Sequence, residues 1–101
     1  MPLLRVKKEV YGWLETGRKT IDVRRGRAQR GKIAVFQCGP HHLRIPIVDR
    51  KTALLDEIVT ENTFKAIVPV ANSVEQAREF LQRLYGAGDG PFTAYYLSPK
   101  P

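Results

Sequence analysis

One cysteine, one tryptophan and one methionine stand among 101 residues. A lone Cys38 rules out an internal disulfide and fits a reducing compartment. No apolar run approaches the roughly 20 residues needed to cross a bilayer as a helix, so no membrane partner is expected. The opening MPLLRVKKEV becomes charged too early for a secretory signal, and the expected location is cytoplasmic. No CxxC, HExxH or Walker-type pattern occurs. The two histidines, His41 and His42, are adjacent, project differently and have no third ligand nearby. Neither a metal nor a cofactor is expected. Acid is also scarce: ten acidic residues face 17 basic ones, a formal net charge of +7.

What is present describes an ordinary globular chain. Apolar residues make up 43% and charged residues 27%, a balance that can bury one core. Residues 1–101 are therefore expected to form a single domain. Cys38 alternates in register with Ala34 and Phe36, which suits a packed or half-buried thiol rather than a nucleophile.

The positive charge is unevenly placed. The run GRKTIDVRRGRAQRGK, from Gly17 to Lys32, holds Arg18, Lys19, Arg24, Arg25, Arg27, Arg30 and Lys32 against one acid, Asp22. The rest of the chain is nearly neutral. Such a concentration points to an anion, and the expected one is nucleic acid or a nucleotide. A solvated loop kept basic for solubility is the plainer alternative for Arg25 to Lys32.

Periodicity places this run among short elements. Val6, Val10, Trp13 and Leu14 recur at helical spacing, and a helix is expected over Lys7 to Thr16, ended by Gly17. Thr20 to Arg24 alternates apolar and polar residues, as a strand does. Strands are also expected at Lys32 to Cys38, His42 to Val48 and Phe92 to Leu97. Pro46 cannot donate to a ladder, so the third of these four should be an edge or carry a bulge. A second helix is expected over Thr52 to Asn62. The clearest helix is Val74 to Tyr85: Ser73 with Gln76 makes a capping box, Val74, Ala77, Phe80, Leu81 and Leu84 form its apolar stripe, and Gly86 ends it. Strands early and late with helices between them imply an α+β domain, its sheet closed or strongly curved to protect short edges.

The order of these elements, with G-x-K-T-x-D-x-R at Gly17, Lys19, Thr20, Asp22 and Arg24, resembles the ASCH domain family of the PUA-like superfamily. The likeness runs from about Leu3 to Leu97. It implies a small PUA-like β-barrel or strongly curved sheet with about three flanking helices, and an association with RNA. Two positions depart from the family pattern. Asp22 stands where glutamate is commoner, and Lys32 follows Gly31 where aspartate is frequent.

The resemblance also bears on chemistry. One branch of the family resembles amidohydrolases acting on acetylated cytidine, with a lysine, a threonine and a glutamate as proposed machinery. The lysine corresponds to Lys19. The threonine falls where this chain has Asp22, which leaves Thr20 as the available hydroxyl. Glu57 and Glu61 are the candidates for the glutamate. Another branch has been linked to RNA cleavage. The expected nucleic-acid-binding residues are Arg18, Lys19, Thr20, Asp22, Arg24, Arg25, Arg27, Arg30 and Lys32. If the chain is an enzyme, the catalytic residues are expected among Lys19, Thr20, Asp22 and Glu61. The expected partner is RNA or a nucleoside or nucleotide, and the oligomeric state is open. A structural salt-bridge cluster of Lys19, Asp22 and Arg24 at a barrel rim is the alternative. Tyr11, and either Tyr95 or Tyr96, are candidate stacking platforms. Trp13, on the apolar face of its helix, is expected in the core.

Overall fold

The computed structural model describes residues 2–86, 88 and 90–98. In chain order the elements are β1 (Leu3–Arg5), α1 (Lys8–Glu15), β2 (Ile21–Arg25), β3 (Ile33–Cys38), β4 (His41–Ala53), α2 (Leu55–Ile58), α3 (Phe64–Ile67), α4 (Val74–Tyr85) and β5 (Phe92–Leu97). The strands form one five-stranded sheet in the order β1-β3-β4-β5-β2. It is curled into a half-barrel, and the fold is α+β.

Strand β4 makes the curl possible. Its first half pairs antiparallel with β3, from Cys38↔His41 to Ile33↔Pro46. Its second half pairs antiparallel with β5, from Ile47↔Leu97 to Ala53↔Phe92, with a register shift between Ile47 and Asp49. A bulge adds local twist and bends the strand. Of the two roles open to Pro46, the structure selects the bulge: β4 is the central strand. Ile47 N–H donates to Lys32 O at 2.7 Å. Pro46 O accepts from Ser98 N–H at 2.9 Å, so position 46 faces the end of β5 and its missing N–H falls at the last rung of that ladder.

The region expected as one helix over Thr52 to Asn62 divides differently. Thr52 and Ala53 continue β4, and single turns of helix follow at α2 and α3. Between them Thr63 Oγ1 donates to Ile58 O at 2.7 Å and accepts from Thr60 N–H at 2.9 Å. These local bonds compete with helical hydrogen bonding. Val59, fully buried, is extended at φ −93° and ψ 102°. Four helical segments thus flank the sheet among the described residues, rather than about three. β1 is an addition that no periodicity signals: three residues pair parallel with β3, Leu3 opposite Val35.

The best-marked helix stands as expected. Ser73 Oγ accepts from Gln76 N–H at 3.2 Å, and Gln76 Oε1 accepts from Asn72 N–H at 2.8 Å, one residue before the cap. Gly86, at φ +85°, ends α4 in a conformation that favours glycine. Val74, Ala77 and Leu81 are buried, while Phe80 is half-buried and Leu84 is 36% exposed. The stripe is wider than the core it covers, because part of it faces a cleft.

Candidate functional site

β1 and β2 are the two ends of the sheet, and no ladder joins them. Across this seam Arg24 Nη1 donates to Arg5 O at 3.0 Å. A cleft of about 330 Å³ opens beside it. Val6, Val10 and Trp13 wall it on one side, and Phe80, Leu81, Leu84 and Tyr85 of α4 on the other. Trp13 and Phe80 meet at 5.9 Å between ring centroids. Trp13 is thus both core, as expected, and wall.

Of the charged side chains that line this cleft, Lys19, Asp22 and Arg24 meet one another. Asp22 and Arg24 lie two apart on β2 and so share a face, which points into the half-barrel. Arg24 Nε donates to Asp22 Oδ2 at 2.8 Å. Lys19 comes from the turn before β2. Its Nζ donates to Ile21 O at 2.8 Å and to Ile67 O at 2.6 Å, and lies 3.9 Å from Asp22 Oδ1. Lys19 is 6% exposed and Asp22 3%. Burial pushes the Lys19 amine down to about 8; Asp22 opposes the shift and Arg24 adds to it. At 3.9 Å the attraction of Asp22 offsets only part of the desolvation. For Arg24, burial acts to lower the pKa, but Asp22 and Tyr85 outweigh it and hold the guanidinium charged. Burial also pushes the Tyr85 phenol up, with Arg24 opposing and Asp22 reinforcing.

Thr20 does not join this group. Its backbone N–H donates to Ala66 O, its carbonyl accepts from Leu97 N–H, and it does not line the cleft. Glu61 is exposed in the turn after α2. Glu57 is exposed on α2 and accepts from Leu54 N–H at 3.3 Å. Neither glutamate lines the cleft, so among the described residues Asp22 is its only carboxylate.

The basic segment divides by role. Arg25 Nε donates to Tyr85 O at 3.0 Å and Nη2 to Gly86 O at 2.8 Å, with the guanidinium 4.8 Å from the Phe92 ring centroid. It satisfies carbonyls at the end of α4, where a cation also complements the helix dipole. Arg18, Arg27, Arg30 and Lys32 are exposed, and none of them lines the cleft. The loop after β2 is nevertheless anchored. Thr93 Oγ1 donates to Gly26 O at 2.7 Å, Gln29 N–H donates to Tyr95 Oη at 2.8 Å, and Arg50 donates to the carbonyls of Gln29 and Gly31. Tyr95 is therefore a buried anchor, 1% exposed, and not a stacking platform. Tyr96 is half-buried. Tyr11 Oη donates to His42 O at 3.2 Å, and the Tyr11 and His41 rings lie 6.2 Å apart. Cys38 is half-buried at the end of β3. Among the described residues no group of three or more His, Cys, Asp or Glu side chains is placed to hold a metal.

Sequence reasoning missed Arg5, Val6 and Lys7 at the mouth and Tyr85 in the wall. The α4 stripe was the available signal for Phe80 and Leu84. Nothing local marks Arg5, whose role depends on β1 lying across the seam.

A curled sheet whose seam holds an ion-paired Lys–Asp–Arg group, its lysine and aspartate buried, defines a small α+β half-barrel with a polar-floored cleft. Its likeness to solved proteins is specific at the level of fold. It superposes on the hypothetical protein PH0355 with a TM-score of 0.79, at 16% identity, over 97% of each chain. It superposes on a single-substitution variant of ZmASCH from Zymomonas mobilis with a TM-score of 0.69, at 16% identity, over 94% of this chain and 66% of that one. The fold is thus shared with an ASCH protein, as the G-R-K-T-I-D-V-R strand implies. No protein-family model and no curated protein matches the sequence itself.

Proposed function

We propose that this chain is an RNA- or nucleotide-binding module whose ligand enters the seam cleft. The observation that carries the reading is the ion-paired group of buried Lys19 and Asp22 with half-buried Arg24, in a cleft with apolar walls. A nucleobase is flat, apolar on its faces and polar at its edge. Val10, Trp13, Phe80 and Leu84 suit the faces; Asp22 accepts and Arg24 donates at the edge. The cleft volume lies at the small end of ligand sites, which suits a nucleoside rather than a duplex. Arg18, Arg27, Arg30 and Lys32 add sequence-independent attraction for phosphates. The ASCH fold, within a superfamily associated with RNA, agrees with this reading.

Equilibrium binding of short single-stranded RNAs over a salt series tests it. The expected result is saturable binding whose affinity falls steeply with salt, with a slope of roughly −0.7 per phosphate neutralised. Absence of RNA or nucleotide binding at low salt removes the proposal.

A second reading is favoured by one feature, the Lys19 amine. At about 8 it is partly neutral near physiological pH, as a general base must be. Two of its donors are directed at backbone carbonyls, which orients the nitrogen. Against hydrolysis stands the set of neighbours: Thr20, Glu57 and Glu61 do not line the cleft. Incubation with N4-acetylcytidine and with mixed-sequence RNA separates the readings. Turnover abolished by Lys19→Ala supports an enzyme; no turnover across pH 6 to 10 removes it.

A further inference from the structure

The cleft continues past Arg5. Arg5 and Val6 also border a second cavity of about 290 Å³, whose other walls are Gln37 and Gly39. The two cavities adjoin across the end of β1, and Arg5 belongs to both. The Arg5 carbonyl is occupied by Arg24. Its guanidinium is free: Arg5 is exposed, and its side chain makes no hydrogen bond or ion pair among the described residues. Arg24, Arg25, Arg50 and Arg78 all direct their guanidinium groups at protein oxygens instead.

The second cavity is held in place. Val6 N–H donates to Gln37 O at 3.0 Å, tying its floor to the end of β1. Gln37 Nε2 donates to Gly39 O at 3.4 Å, which leaves the amide oxygen as an acceptor. The same β3–β4 hairpin carries His41, exposed and tilted 47° against the Tyr11 ring.

We propose that these cavities are consecutive subsites for an unpaired nucleic-acid strand. One base occupies the seam cleft, Arg5 holds the linking phosphate, and the neighbouring nucleotide lies against Gln37 and Gly39 beside the Tyr11–His41 pair. A guanidinium fork suits a phosphodiester oxygen pair, and an aromatic pair with one exposed ring suits stacking. A free nucleoside fills only the first subsite. A duplex is excluded from it, because its bases face one another. The inference rests on the nucleotide-binding reading and adds to it the ligand class, a single strand of at least two nucleotides.

The test compares the four nucleosides with the four matching homodinucleotides by calorimetry, on wild type, Arg5→Ala and Arg5→Lys. Dinucleotides are expected to bind at least about tenfold more tightly, the scale of one charged hydrogen bond. Amide resonances of Gln37 and Gly39 should shift with dinucleotide and not with nucleoside. Arg5→Ala, which keeps the carbonyl that Arg24 needs, should remove the gain of dinucleotide over nucleoside. Arg5→Lys should restore part of it, since charge remains but the fork is lost. Nucleoside binding with no gain from the linking phosphate and second nucleotide overturns this inference alone. Binding of neither overturns it together with the proposed function. An acidic peptide that competes as well as the dinucleotide also overturns it. The resonance shifts use the wild-type chain, so they decide the matter even where a variant fails to fold.

Discussion

Replacing Lys19 by methionine should change how stability depends on pH. The buried amine sits at about 8 in the folded chain against an ordinary value of 10.5. Below pH 8 both states hold the proton, and the folded state bears the full cost of a desolvated ammonium. A depression of this size corresponds to about 3 kcal/mol. Between about pH 8 and pH 10.5 the folded chain has released the proton while the unfolded chain retains it. The unfolded state then binds more protons, so stability rises with pH through that window. Methionine has a similar unbranched reach and no titration. It leaves Ile21 O and Ile67 O without their donor, which costs about 1–3 kcal/mol for each group left unpaired. That cost does not vary with pH and sets an offset only. The Tyr85 phenol is pushed above its ordinary value of 10.0 and stays protonated through most of the range. Urea denaturation of both proteins at intervals from pH 7 to 10 is the assay. The stability of wild type minus that of Lys19→Met should grow by about 2 kcal/mol across this range. Parallel curves, or a wild-type-minus-variant difference that falls as pH rises, would refute the role given to burial. The same titration should make anion binding in the cleft weaken as pH passes about 8.

Asp22→Asn removes the only cleft carboxylate among the described residues and leaves the buried Lys19 amine and the half-buried Arg24 guanidinium without their counter-charge. It should destabilise the fold by about 3–5 kcal/mol, read from the urea midpoint at neutral pH. The triple substitution Arg27→Ala, Arg30→Ala, Lys32→Ala should change stability by only about 0.5 kcal/mol per site, while reducing the salt slope of RNA binding by roughly 0.7 for each phosphate no longer neutralised. An unchanged slope would mean these side chains touch no phosphate. Arg50→Ala removes the donors that hold the Gln29 and Gly31 carbonyls. Hydrogen exchange at the Gln29 amide should accelerate by about tenfold or more as the loop opens locally; unaltered protection would show that Tyr95 alone anchors it.

Legibility followed the range of the interaction. α4 and β5 were readable to the residue because their signals are local: Ser73 and Gln76 at one end of α4, Gly86 at the other, and Gly90-Pro91 just before Phe92. β4 was readable only in its first half. Its extension to Ala53 depends on β5 arriving beside it, and Thr52 finds Thr93 41 positions away. β1 gave no signal, since three residues gain strand geometry only by pairing with β3. In the site, the Asp22–Arg24 pair was legible from strand alternation. Thr20 was misleading for the same reason, because alternation gives a face and says nothing of where the cleft ends. Arg25 looked like a rim cation until α4 placed two carbonyls against it.

Charge density from Gly17 to Lys32, the Asp22–Arg24 spacing and the apolar stripe of α4 were determined by the sequence alone, because each depends on residues within a few positions of one another. Tertiary structure decided which of those cations meet protein and which meet solvent. It buried Lys19 under the Ile67 carbonyl 48 positions away, turned Arg25 onto the end of α4, and left Arg5 free at a seam that exists only once the sheet has curled. The physical reason is desolvation. How strongly a charge is perturbed, and whether its donors remain available, depends on what the rest of the chain packs around it.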